Sequence, residues 1–166
     1  RRSPAYRCMP GPSFGSRLVE NAIEVKMCGP EIFAHVELKQ VARLIIFQTW
    51  LRGVDVSALV TADGRLLSVD HGYYLTIWRW DDPRFAQPEK IKLKIPSQFR
   101  KMEQLEPSMF ADTLDELMSI PDIDIVRAFG DIPFEWGVLP ELRAKAAAYV
   151  LSRRSQIAQA VSRLRK

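Results

Sequence analysis

The chain has 166 residues, of which 47% are hydrophobic and 27% charged, so it is long enough to bury a core and is read as a single domain. No apolar run is long enough for a membrane helix, and the Arg- and Pro-rich opening R-R-S-P-A-Y-R-C-M-P-G-P has no apolar stretch of the signal-peptide kind. The net charge of +4 is unevenly placed: from residue 141 onward seven basic residues stand against Glu141 alone, and the remainder is slightly acidic.

Within the single domain, 1–166, the composition separates an extended arm at 1–28, a core at 29–140 and a terminal amphipathic helix at 141–166. Pro4, Pro10, Gly11 and Pro12 keep the arm loop-like, with Tyr6 and Phe14 as anchors. The alternation of Ile23, Val25 and Met27 permits a short strand. Cys8 and Cys28 have neither metal spacing nor a disulfide framework and fit a reducing cytoplasm, the expected location. The chain does not begin with Met, which fits a piece of a longer protein. Gly29-Pro30 punctuates the chain, and Pro30 can open a short helix in which His35 is read as a bystander.

Residues 39–52 predict the most buried helix. Val41, Leu44, Ile45 and Leu51 follow helical spacing, while Ile46, Phe47 and Trp50 fill the other side, as in a helix at the middle of a domain. Gly53 is expected to stop it at the C′ position. Beyond lies Asp55, then a β-hairpin. Asp63-Gly64 is the strongest two-residue turn signal in the chain, since a type I′ turn needs positive φ at both positions. That turn would oppose Thr61 to Leu66, Val60 to Leu67 and Ser57 to Asp70. It would gather Asp55, Asp70, Ser57 and His71 at the open end of the hairpin. Two carboxylates so placed raise each other's pKa unless a cation lies between them, and magnesium prefers such oxygen ligands.

Y-Y-L-T-I-W-R-W at 73–80 is dense in aromatics, read either as rings packed in the core or as a surface for a partner. K-I-K-L-K-I-P at 90–96 alternates into a strand with one charged face, suited to an edge. From Ser108, a candidate N-cap, Phe110, Leu114, Leu117 and Met118 mark a helix that Pro121 ends. Ile123, Ile125, Val126 and Phe129 mark another, closed by Gly130. Residues 132–137, I-P-F-E-W-G, form a turn with Trp136 expected inside. The last helix runs from about Pro140 to Arg163, with Leu142, Ala146, Tyr149, Val150, Ile157, Val161 and Leu164 on one face. Its basic residues, Arg153 and Arg154 among them, are read mainly as a solvated face, with nucleic acid or an acidic membrane surface as less favoured partners.

L-I-I-F-Q-T-W-L-R-G-V-D at 44–55 and G-R-L-L-S-V-D-H-G at 64–72 together resemble the catalytic core of the HipA-like kinases, distant relatives of the phosphatidylinositol kinases. P-S-F-G-S-R at 12–17 and I-P-F-E-W-G followed by an arginine-bearing helix extend the resemblance loosely over most of the chain. It implies an α+β, mostly helical fold like the C-lobe of a protein kinase, with a short catalytic-loop hairpin. It also implies ATP and magnesium as cofactors, Asp55 as the catalytic residue and Asp70 as a metal ligand; Ser57 is the candidate to supply a further oxygen to the metal where the family has Asn, and His71 a candidate cofactor contact.

The departures from the family pattern are as informative. That pattern continues after the catalytic Asp as D-R-H-x-x-N, whereas Asp55 is followed by V-S-A-L-V, with no Asn to bind a second metal. No Gly-rich loop and no V-A-I-K-like strand precedes residue 50 to hold a nucleotide. The expectation is a kinase-like lobe with an incomplete site, weakly active or inactive as this chain, whose partner is a protein or a missing N-lobe. The alternative is a non-catalytic binding or scaffold domain that uses 73–80 or the terminal helix, with Arg153 and Arg154 as its contacts. A third reading makes Asp55 and Asp70 ordinary turn and strand-end residues of an α+β domain.

Overall fold

The computed structural model describes residues 19–26, 36–53, 57–69, 74–75, 93 and 105–162. They form a mostly helical α+β arrangement: strand β1 (Ile23–Lys26), helix α1 (Leu38–Trp50), strands β2 (Ser57–Val60) and β3 (Leu66–Val69), then helices α2 (Ser108–Ser119), α3 (Asp122–Gly130) and α4 (Pro140–Ser162). The three strands make one antiparallel sheet in the order β1-β2-β3.

Helix α1 is the hub. Its Val41, Ala42, Leu44, Ile45 and Ile46 are buried with Val36, and around them close Ala58 and Val60 of β2, Phe110 and Leu117 of α2, and Ile157 and Val161 of α4. A second cluster joins Ile125 of α3 to Tyr149 and Val150 of α4, with Trp50 and Leu51 packed against it. Apart from Lys39 and Arg43, which reach solvent, the helix is buried or half-buried nearly all round, and the expectation for 39–52 holds. The stripe read on α4 holds as well: Ala146, Tyr149, Val150, Ile157 and Val161 are buried. Pairs such as Arg43 with Glu116 (2.7 Å) and Lys39 with Asp112 (3.2 Å) link α1 to α2 across solvent, where such pairs contribute about 0–1 kcal/mol each.

The hairpin departs from expectation by one residue. The observed pairs are Ser57 with Val69, Ala58 with Ser68, Leu59 with Leu67 and Val60 with Leu66. Ser57 therefore faces Val69 rather than Asp70. The connection is a three-residue loop, Ala62-Asp63-Gly64, closed by Thr61 N–H to Arg65 O (2.9 Å) and Gly64 N–H to Thr61 O (2.9 Å). Gly64 alone has positive φ, 76°, as a type I turn followed by a left-handed residue requires. Side chains favour this choice over the tighter turn: the Thr61 hydroxyl donates to the Asp63 carboxylate and accepts from Arg65 N–H (2.9 Å), and Arg65 Nε donates to Asp63 (2.8 Å).

Two glutamines of α1 hold the hairpin at both ends. Gln40 donates to Gly64 O (3.3 Å) and accepts from Leu66 N–H (2.8 Å). Gln48, two turns on, donates to Ser68 Oγ (3.4 Å) and to the Tyr74 hydroxyl. Eight helical residues rise about 12 Å, and the four residues from Gly64 to Ser68 extend about 13 Å. The helix and strand are thus matched in length between the clamps.

Two further details differ from the sequence reading. Ser108 is the first helical residue of α2 and makes no side-chain cap, since Pro107 takes the cap position. Trp136, expected inside, is 51% exposed in a 3-10 turn (Phe134–Trp136) that Gly137 ends with φ 67°.

The Thr61 hydrogen bond, followed by burial acting against it and the Arg65 charge acting with it, holds the Asp63 carboxyl below its ordinary 3.8. A depressed acid stabilises the hairpin above its unfolded pKa and loses that contribution as pH falls through the folded value. We expect NMR titration to find Asp63 ionising below 3.8 and Thr61→Val to move its midpoint upward; an unmoved midpoint would rule out the hydroxyl as the main cause.

Candidate functional site

The end of α1 is where the elements around the expected site meet, and its backbone carbonyls account for the geometry. A helix leaves its last four carbonyls without intrahelical partners. Here Gly53 N–H reaches Gln48 O (2.8 Å) and Arg52 N–H reaches Thr49 O (3.4 Å), the paired bonds of a Schellman motif. Leu75 N–H takes Leu51 O (2.7 Å). Arg153 of α4 supplies the rest: its Nε donates to Trp50 O (2.7 Å) and its Nη2 to Thr49 O (2.6 Å). In return Trp50 Nε1 donates to Val150 O of α4 (2.9 Å).

The left-handed C′ residue of this motif is Arg52, with φ 52°, and not Gly53. Gly53 follows at C″ and is needed for space. A Cβ there would lie 1.8 Å from Gln48 Oε1 and 3.0 Å from Tyr74 Cε1. Gln48, fully buried, and Tyr74 are bound to each other and to Ser68, whose hydroxyl lies 3.2 Å from the Tyr74 oxygen. The Phe47 and Tyr74 rings pack at 5.8 Å. The last turn of α1, the end of β3 and the Tyr74-Leu75 segment are thus tied into one junction.

Of the site residues read from sequence, Asp55, Asp70 and His71 lie outside the described residues. Their neighbours along the chain do not: Gly53 and Ser57 bracket the segment of Asp55, and Val69 and Tyr74 bracket that of Asp70 and His71. Ser57 and Val69 are paired across the hairpin, and Gly53 and Tyr74 are in contact distance of one another through Gln48. Among the described residues no three of His, Cys, Asp or Glu gather into a metal cluster.

The two arginines expected to meet a partner turn inward. Arg153 is 0% exposed and lies over the Tyr149 ring, 5.2 Å from its centre. Burial first, opposed by Tyr149 and reinforced by the Arg52 charge, lowers its pKa from the ordinary arginine value; an arginine in a protein remains charged regardless. Arg154 donates to Ile120 O at the end of α2 and to the Asp122 carboxylate. Both guanidinium groups, read from sequence as partner contacts, bond this chain's own carbonyls and carboxylate instead of standing on a solvated face.

Sequence reasoning missed Gln48, Ser68 and Tyr74 as the bracing of the junction, and missed Arg153 as a core residue. The signals were present. Gln48 is a lone amide in the apolar run I-I-F-Q-T-W, and Arg153 lies three residues after Val150 and four before Ile157, on the buried stripe of α4. A recess of about 280 Å³ between α1 and α2, lined by Ile46, Phe47, Trp50, Leu117 and Ile120 with Arg43, Thr113 and Glu116, involves none of these bracing residues.

No protein-family model, no curated protein and no solved structure matches the chain significantly.

Gly53→Ala should force Gln48 and Tyr74 apart and lower stability by about 1–3 kcal/mol. Urea unfolding checks it, and a loss under about 0.5 kcal/mol would mean that the junction yields freely. Arg153→Met keeps most of the side-chain volume but leaves the half-buried Trp50 O without its donor and the buried Thr49 O with only the longer Arg52 N–H, so a loss of about 2–3 kcal/mol is expected in the same assay, with Arg153→Lys in between.

Proposed function

We propose that this chain is a lobe related to the HipA-like kinases, a magnesium- and ATP-dependent phosphotransferase fold whose site is incomplete and whose own activity is weak or nil. The observation that supports it most is the junction at the end of α1. A phosphotransferase needs its catalytic and metal-binding carboxylates delivered from rigid neighbouring elements. The segments that carry Asp55 and Asp70 both depart from and return to that one braced junction.

In this reading Asp55 orients the acceptor hydroxyl and takes up its proton. Asp70, the residue after the Val69 that pairs with Ser57, would supply with Ser57 hard oxygen donors of the kind magnesium prefers. The metal, when bound, would neutralise charge on the transferring phosphate. Catalysis of this type rests on positioning and electrostatics, and each tenfold loss corresponds to about 1.4 kcal/mol. The absence from the sequence of a nucleotide-binding lysine and a second metal ligand therefore predicts little turnover by this chain.

A binding or scaffold role is the second reading, and a specific observation favours it: Phe134, Trp136 and Leu139 are exposed around the turn before α4, at 87%, 51% and 59%. Large apolar side chains exposed side by side in sequence suit contact with a protein more than with nucleic acid.

Calorimetric titration with ATP, with and without magnesium, separates the two. The expected result is magnesium-dependent binding that Asp70→Asn abolishes. Absence of binding in every condition would overturn the phosphotransferase reading and leave the scaffold role.

A further inference from the structure

We propose that the recess between α1 and α2 is a binding site for a small, neutral aromatic molecule of one or two rings. Each helix lends it one stripe at i, i+3, i+4 and i+7: residues 43, 46, 47 and 50 of α1, and residues 113, 116, 117 and 120 along α2 to its cap. Stripes of that spacing lie on one helix face, and two facing stripes ordinarily interdigitate to interior density. Here they leave about 280 Å³ unfilled. The pairs Lys39 with Asp112 and Arg43 with Glu116 advance by four residues on both helices, so the stripes run in parallel. The Arg43 pair therefore stands at one end of the recess, with Trp50 and Ile120 at the other. The walls are held from behind: Trp50 Nε1 donates to Val150 O (2.9 Å), Phe47 packs on the Tyr74 ring at 5.8 Å, and Ile120 O accepts from Arg154. A guest thus enters a preformed space and orders little on binding.

Size, lining and charge select the guest. An apolar cavity of about 150 Å³ already takes benzene, so this recess has room for two fused rings. Ile46, Leu117 and Ile120 offer water few partners, and the Phe47 and Trp50 rings favour an aromatic guest beyond its apolar area. Among the described lining residues the charged groups are Arg43 and Glu116, and they neutralise each other, Arg43 Nη2 reaching both carboxylate oxygens (2.7 and 2.8 Å). The next pair along, Lys39 with Asp112, is balanced as well. A charged guest would lie unpaired against apolar walls or break the Arg43 pair, and either is costly. The Arg43 and Glu116 side chains are 62% and 58% exposed, so the rim lies at the surface and a guest has a way in. The site stands apart from the junction at the end of α1 and owes nothing to ATP or magnesium.

The test is NMR titration of the full chain with indole, read on the methyl groups of Ile46, Leu117 and Ile120. The expected result is saturating shifts, with a dissociation constant on the order of 0.1–1 mM, and Overhauser contacts from indole protons to those methyls. Thr113→Trp fills the recess from its half-buried rim and should weaken indole binding at least about tenfold. Indole-3-acetate and tryptamine, which carry the same rings with a charge, should bind more weakly than indole. Shifts that do not saturate, contacts that map to Phe134 and Trp136 instead, or unchanged binding by a folded Thr113→Trp would overturn the site. If Thr113→Trp does not fold, the contacts in the unaltered chain decide. A charged probe that binds as tightly as indole would overturn the choice of guest. So would tighter binding of N-acetyltryptophanamide, which would assign the recess to a partner's side chain.

Discussion

Thr49 and Trp50 close α1 with carbonyls to which the helix end itself offers only the long Arg52 N–H bond on Thr49 O, and a single guanidinium, that of Arg153 buried on α4, meets both. The same solution recurs along α4. Arg154 donates to Ile120 O, at the end of α2, and Arg143 donates to Gly130 O (3.0 Å), the last residue of α3, and to Val138 O (2.9 Å). Each of the three earlier helices thus ends on an arginine of the fourth. A cation at a helix C-terminus contributes about 0.3–1 kcal/mol at the surface and up to about 2 when partly buried. The geometric consequence outweighs the energy: a carbonyl accepts a bond only along certain directions, so three helix ends fix the rotation and register of α4. Much of the basic character of this helix is structural for that reason, and it need not imply a polyanionic partner.

With α4 fixed, α1 becomes a ruler for the hairpin. Gln40 and Gln48 bond the turn and the far end of β3 at a separation that strand and helix share. A slip of one residue would break both clamps, in addition to turning Val60 and Ala58 out of the core. The polar bonds therefore specify the register that hydrophobic burial stabilises. The practical result is that the chain enters and leaves the Asp55 and Asp70 segments from fixed points, whatever those segments bind.

What was legible in the sequence is what periodicity controls. The four helices and the presence of a hairpin follow from apolar spacing and turn residues, and a mostly helical α+β fold follows from their sum. What escaped was decided by competition between near-equal local choices. Asp63-Gly64 reads as a two-residue turn, yet the Thr61 hydroxyl, two residues before Asp63, bonds both Asp63 and Arg65 and selects the three-residue loop. Arg153 was read by its charge when its position on the α4 stripe said more. A long guanidinium enters a core when backbone carbonyls wait there, and no pattern within α4 reveals the end of a helix 100 residues earlier. For the candidate site, the positions of the bracing residues were visible only as anomalies, such as a glutamine in an apolar helix.

The order Arg52-Gly53 shows how unequal costs settle a sequence. Two adjacent positions both favour glycine, one for its backbone angle and the other for its lack of a Cβ. At 52 the penalty for a side chain is the left-handed conformation, about 1–2 kcal/mol. At 53 a Cβ would lie 1.8 Å from Gln48 Oε1, and Gln48 cannot retreat without releasing Tyr74 and Ser68. The steric demand is the one that cannot be met by relaxation, so glycine stands at 53. The strain at 52 is bearable, but it is not required: glycine would remove it. That an arginine stands there places position 52 within this tolerance, which position 53 lacks.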